Sequence, residues 1–198
     1  MPETVGKPLP HESAELHVTG EARYIDDIPE PIGTLHAAVG VSEKPHARIR
    51  SIDLEPVRRA PGVVAVVSAR DVPGKNDIGI HDDDPIFADD LVQYVGQSMF
   101  AVAATSIEAA RRAALLAEVD YEELEPILDI DSALDKQSFV LPTVEVSRGN
   151  SRKAIEGAKH RLRGRVRLGG QEQFYLEGHI AFALPREGGD LLIHSSTQ

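Results

Sequence analysis

The sequence predicts an α+β protein, and three observations carry that reading. Short runs rich in Val, Ile and Ala, such as "VVAVVSA", are bounded by Gly, Pro and acidic turns; one stretch, "TSIEAARRAALLAEV", has the composition and period of a helix; and no internal repeat or low-complexity tract interrupts them. The chain has 198 residues, 41% of them hydrophobic. That suffices for a sizeable core, because a domain of about 150 residues already hides roughly 68–70% of its unfolded surface.

Residues 1–32 are rich in Pro and acids and hold no sustained period, which predicts an extended arm. "TLHAAVGVS" and "ARIRSIDL" follow as two strands joined by a turn at "EKP". "EPVRRAPG" fits a single helical turn closed by Pro61 and Gly62, and "VVAVVSA" a β-branched buried strand. The polar stretch Asp71 to Asp90 reads as a surface loop. "LVQYVGQSMFAVAAT" returns as one long strand, or two broken near Gly96, since Gly inside a strand often marks a bulge or a close backbone approach.

The clearest helix starts at Thr105, whose hydroxyl with Glu108 three places on has the spacing of a capping box. Its face of Ile107, Ala110, Ala114 and Ala117 is narrow and small, suited to lying close on a sheet. "VDYEELEPIL" leaves as a strand and an acidic loop. A linker occupies 135–149, and a short helix runs from Asn150 to about Gly157. Three further strands, "HRLRGRVRL", "HIAFALP" and "DLLIHSS", form a meander with an open edge, which predicts lability or intermolecular pairing.

Charge and composition exclude several functions. With 21 basic against 32 acidic side chains the formal charge is −11, which disfavours nucleic acid or an anionic membrane as partner. The absence of cysteine rules out disulfides and thiolate ligation of an iron–sulfur cluster or structural zinc on this chain. The opening "MPETVGKPLPHESAELHVTG" lacks the charged and apolar regions of a secretory leader, so a cytoplasmic location is expected.

The chemistry-bearing patterns are sparse. "HDDD" at residues 81–84 offers hard oxygen ligands but not the alternating spacing of a calcium loop, and reads as a solvated acidic loop. The eight histidines have no metal-ligand spacing, and nucleotide loops and the serine-hydrolase elbow are absent. Between Arg148 and Arg167 eight basic residues face one acid, Glu156, which is a solvated face or a seat for an anionic cofactor or acidic partner. "LGGQEQFYLEGH" places Gly169 and Gly170 beside Gln171, Glu172, Gln173 and Glu177, a turn that also allows close backbone approach. Composition and spacing alone assign no catalytic set.

A broader likeness does more. "HESAELHVTGEARYIDDIP", "LHAAVGVSEKPHARIRSIDL", "APGVVAVVSARDVPG", "YVGQSMFAVAATSIEAARRAALLAEVDYEELEPILDI", "GGQEQFYLEGH" and "IHSSTQ" occur in order, and in them the chain resembles the molybdopterin-binding large subunits of the xanthine dehydrogenases, in the molybdenum hydroxylase family. The resemblance implies an arm and α/β-hammerhead domain over residues 1–134, the linker 135–149, and the incomplete beginning of a molybdenum-cofactor-binding domain over 150–198. It implies hydroxylation of xanthine or hypoxanthine, with molybdenum-molybdopterin held by the full subunit and electrons passed to 2Fe-2S clusters and FAD on a small partner subunit, then NAD.

By the same resemblance Gln198 is a cofactor-binding residue. A neutral amide can donate a hydrogen bond beside a metal centre without adding charge. The family's catalytic base and its glycine-rich cofactor loop would lie past residue 198, so no catalytic residue and no metal ligand is expected in this chain, which would be an inactive amino-terminal fragment. Glu172 and Glu177 are read as structural. Gln173 stands where the family often has His, a departure that bears on substrate. Alternative expectations are a stand-alone docking or assembly module, or an aldehyde or carbon monoxide oxidising relative.

Overall fold

A computed structural model describes residues 5–175 and 177–197 of the chain. In order, its elements are α1 (Ala14–Thr19), β1 (His36–Val41), β2 (Ala47–Asp53), α2 (Glu55–Arg58), β3 (Val63–Ser68), β4 (Leu91–Val92), β5 (Ser98–Ala104), α3 (Ile107–Ala114), β6 (Glu118–Glu123), α4 (Ile130–Asp135), α5 (Ser151–Gly157), β7 (Ala181–Pro185) and β8 (Leu191–Ser195). The class is α+β, as the residue patterns predict. Two compact units divide the chain: Ile32–Lys153 form one, and the residues up to Pro31 join those from Ala154 onward in the other.

The Ile32–Lys153 unit is built on two three-stranded sheets, ordered β1-β5-β3 and β4-β2-β6. Every pairing in them is antiparallel. β5 can be central because it is apolar on both faces: Met99, Phe100, Val102 and Ala104 are all buried. Opposite Phe100 in β1 stands Gly40, and the aromatic ring fills the place that a side chain there would occupy. Gly96, at φ +94°, breaks the predicted long run into β4 and β5.

The core gathers Ala47, Val57, Val66, Val92, Met99, Phe100, Val102 and Ala113. A second cluster joins Ala104 to Ala109 and Ala110 of α3. These small side chains bring the helix close to the sheet, as the narrow face predicts. The Tyr121 hydroxyl of β6 donates to Met99 Sδ at 3.3 Å, so a polar tip is satisfied inside this contact.

The start of α3 differs from the prediction by one residue. Ser106, in extended conformation, is the N-cap, its Oγ accepting from the Ala109 amide at 3.2 Å. Thr105 is still held by the preceding chain, its amide donating to the Gly62 carbonyl at 2.9 Å, so the helix cannot begin there. Residues 130–135, which the sequence places in and just after the domain's acidic tail, instead form α4, because Asp129 accepts from both the amide and the hydroxyl of Ser132.

The other unit has less regular structure. The arm is not wholly extended: α1 ends at Gly20 in the left-handed conformation, and Ile25–Asp27 form a 3₁₀ turn. α5 starts as predicted, with Asn150 Oδ1 accepting from the Lys153 amide at 2.9 Å. β7 and β8 pair antiparallel from Ala181↔Ser195 to Pro185↔Leu191. The expected third strand, "HRLRGRVRL", forms no ladder and its residues are exposed. Alternation alone does not make a strand; an edge must be there to receive its backbone hydrogen bonds.

Candidate functional site

The residues singled out at the carboxyl end converge on the open end of the β7–β8 hairpin. Ser196 closes it: its amide donates to the Ile180 carbonyl at 3.0 Å, its Oγ accepts from the Ile180 amide at 2.9 Å, and the same hydroxyl donates to the Gly178 carbonyl at 2.8 Å. Thr197 is held in turn, its amide donating to Ser195 Oγ at 3.2 Å. The backbone leading to the "STQ" triplet is therefore clasped residue by residue, although Gln198 itself lies outside the described residues.

The glycine-containing stretch contributes through Glu177. Its Oε1 accepts from the Ile25 amide at 3.1 Å and so caps the 3₁₀ turn of the arm, 152 positions earlier in sequence. Asp27 closes the same turn by accepting from the Tyr24 amide at 2.9 Å. The sequence predicts a structural role for Glu177 but not this partner, because nothing local in either segment signals the other. Beside it the rings of Tyr175 and His179 are 5.1 Å apart, and those of Phe182 and His194 6.1 Å. Glu172 and Gln173 are exposed.

The acidic loop holds itself together. Asp77 accepts from the amides of Gly79 and Asp84, Lys75 pairs with Asp82, and Asn76 clasps Phe87 at both its amide and its carbonyl. The Lys75 ammonium is raised above its usual range, first by its hydrogen bond to Asp82. Among the described residues no group of three or more His, Cys, Asp or Glu side chains could hold a metal ion.

Two clefts lie in the Ile32–Lys153 unit. One, of about 470 Å³, has Arg50, Arg58 and Arg70 balanced by Asp53, Glu55 and Asp89 on its wall. The other, of about 490 Å³, is lined by Val39, Val41, Leu115, Val119 and Tyr121, with Glu43 and Arg111. Neither wall carries a histidine, and neither cleft assembles a nucleophile with a base.

Comparison with known proteins supplies what the geometry lacks. Residues 19–125 match the model of the aldehyde oxidase and xanthine dehydrogenase a/b hammerhead domain. This chain belongs to the aldehyde oxidase and xanthine dehydrogenase family. Residues 134–198 match the molybdopterin cofactor-binding domain. An α/β-hammerhead domain is thus followed by the start of a molybdenum-cofactor domain, as the resemblance implies.

Among family members, xanthine dehydrogenase/oxidase of Gallus gallus is 44% identical over 99% of this chain and 14% of its own length. Aldehyde oxidase 2 of Cavia porcellus is 41% identical over 98% of this chain and 14% of its own. The chain therefore spans about one seventh of the length of these relatives. The aldehyde oxidoreductase of Desulfovibrio gigas superimposes with a TM-score of 0.81 at 30% identity, over 95% of this chain and 23% of that protein.

The described residues do not enclose a pterin by themselves. A Cβ added at Gly164, Gly169, Gly170 or Gly178 would meet nothing within 4 Å, so these glycines border open space and form no cradle. With no cysteine in the sequence and no ligand cluster among the described residues, this stretch can contribute at most part of the wall of a cofactor site.

Proposed function

We propose that this chain is the amino-terminal part of a cytoplasmic molybdenum subunit that hydroxylates xanthine and hypoxanthine in purine catabolism. The subunit would carry molybdenum-molybdopterin, and a partner subunit with 2Fe-2S clusters and FAD would pass electrons to NAD. What supports the reading is the identity to a xanthine dehydrogenase/oxidase along 99% of the chain. The geometry adds the Ser196 clasp, which ties the chain at that residue to Ile180 and Gly178.

In this reading the hammerhead unit is scaffold, and the hairpin is a mount. The Gln198 amide would serve the cofactor as a neutral donor. The remaining cofactor contacts and the base would come from polypeptide other than residues 1–198, so the isolated chain should not oxidise xanthine.

The aldehyde oxidases favour a second reading, oxidation of aldehydes, because one of them is 41% identical over nearly the whole chain. Assay of the assembled enzyme with xanthine and with an aromatic aldehyde separates the two. A kcat/KM higher for the aldehyde would refute the purine assignment and leave the family unchanged. Gln198→Ala in that enzyme should alter the electron paramagnetic resonance signal of the molybdenum; an unaltered signal would remove Gln198 from the site.

A further inference from the structure

The arm cannot hold its own fold. α1 has six residues and buries none of them, and helices shorter than about 12–15 residues are marginal by themselves in water. Yet Tyr24, Ile25 and Ile28 are half-buried, and the 3₁₀ turn Ile25–Asp27 is closed at both ends. Two of its contacts are local: Asp27 accepts from the Tyr24 amide, and the Ile28 amide donates to the Ile25 carbonyl at 3.0 Å. The Ile25 amide is the turn's first orphan donor, and its acceptor is the distant Glu177.

Glu177 is itself half-buried and stands next to the contacts that close the hairpin. The Gly178 carbonyl accepts from the Ser196 hydroxyl, and Ile180 exchanges two hydrogen bonds with Ser196. Arm and hairpin are thus tied through neighbouring residues of one short stretch, 177–180. The matched hammerhead model runs from residue 19 and so includes the turn at Ile25. In the structure that turn instead belongs to the compact unit made by the residues up to Pro31 and those from Ala154 onward.

We propose that the arm is a segment of the cofactor-binding unit, that Glu177 is the positioning residue that docks it, and that the hammerhead is an insertion between the two segments of that unit. Glu177 acts through the Ile25 amide, as an acceptor at the start of a turn that has none of its own there. The consequence is cooperative. Opening the 177–180 stretch frees the arm and the hairpin together, while the hammerhead core, held by its own two sheets, stays closed. This inference rests on the family assignment and not on the purine reading.

Hydrogen exchange of the assembled enzyme, read by mass spectrometry, tests the proposal. Peptides spanning residues 20–31 and 178–197 should open with a common dependence on urea, and before the β5 peptide. Glu177→Ala should speed exchange in both about tenfold, the scale of a lost hydrogen bond to a charged group, and leave β5 unchanged. Glu177→Gln keeps a side-chain oxygen at the same reach and should restore most of the protection. Ile25→Pro removes the amide donor without forcing the backbone, because proline is tolerated at the first position of a turn and Tyr24 before it is already extended, at φ −94° and ψ 172°. Its effect and that of Glu177→Ala should not add in the double variant. Additive effects would overturn the proposal, as would an arm that opens with β5 and apart from the hairpin. So would an arm still protected in Glu177→Ala, or a Glu177→Gln variant as labile as Glu177→Ala.

Discussion

Replacing Gly40 by Ala tests the most demanding contact in the core. An added Cβ would sit 2.0 Å from Phe100 Cζ, 2.1 Å from Cε1 and 2.5 Å from Cε2. Carbon atoms prefer separations of about 3.5–4.0 Å, so the ring would have to withdraw by roughly 1.5–2 Å. Phe100 is only 1% exposed and lies on the central strand, with Gly40 on one side and Ser68 on the other, so it has little room to move. Overpacking costs about 1–3 kcal/mol, and this case belongs at the upper end, about 3 kcal/mol. With a urea slope of about 2 kcal/mol/M, the midpoint should fall by roughly 1.5 M.

The assay is urea denaturation followed by tyrosine fluorescence, because Tyr121 contacts Met99 in the same core. A companion variant isolates the cause. Phe100→Leu removes the ring edge, so the methyl introduced by Gly40→Ala would fit, and the double variant should be more stable than the sum of the two losses by at least about 1 kcal/mol. A midpoint shift below about 0.3 M for Gly40→Ala, which is under about 1 kcal/mol, or additive costs in the pair, would refute the claim that Gly40 is needed as a slot for Phe100.

Three further outcomes are expected. Ser106→Ala should cost about 1 kcal/mol and raise amide exchange along α3, whereas Thr105→Ala should leave that exchange unchanged. Ala110→Leu, at a position 0% exposed between α3 and its sheet, should cost about 1–3 kcal/mol in the same urea assay. The hydrogen bonds from the Ser132 hydroxyl and amide hold the Asp129 carboxyl below the usual range. Its support of α4 is thus complete above the ordinary value of about 3.9 and is lost as pH falls through the lower folded value. The Ser132 amide shift should titrate in that acid range, and Asp129→Asn should abolish the titration while keeping the helix; persistence in the variant would assign it to another group.

The candidate site shows how far local pattern reaches. The hairpin strands at 181–185 and 191–195 are legible in the sequence because apolar runs between Gly, Pro and acidic turns have few alternatives. The Ser196 clasp is not, since a Ser–Ser–Thr string looks the same whether its hydroxyls meet water or the Gly178 carbonyl. Glu177 reads as structural without a partner, and only the folded chain supplies the Ile25 amide. The basic stretch misleads in a different way: its alternation is that of a strand, but among the described residues no edge of the same chain receives it.

By itself the sequence determined the α+β class, most of the strands, α3 and its small-residue face, and membership of a family whose ordered blocks run almost end to end. The class and the elements rest on near-neighbour physics, since turn residues, side-chain periods of two and about 3.6, and helix propensity act over a few positions; the family rests on the resemblance of those blocks alone. Only the tertiary structure decided that Gly40 is a seat for Phe100, that Ser106 and not Thr105 caps α3, and that the arm is tied to Glu177. Those outcomes depend on which distant groups compete for the same space or the same hydrogen bond, and that competition exists only once the chain has brought them together.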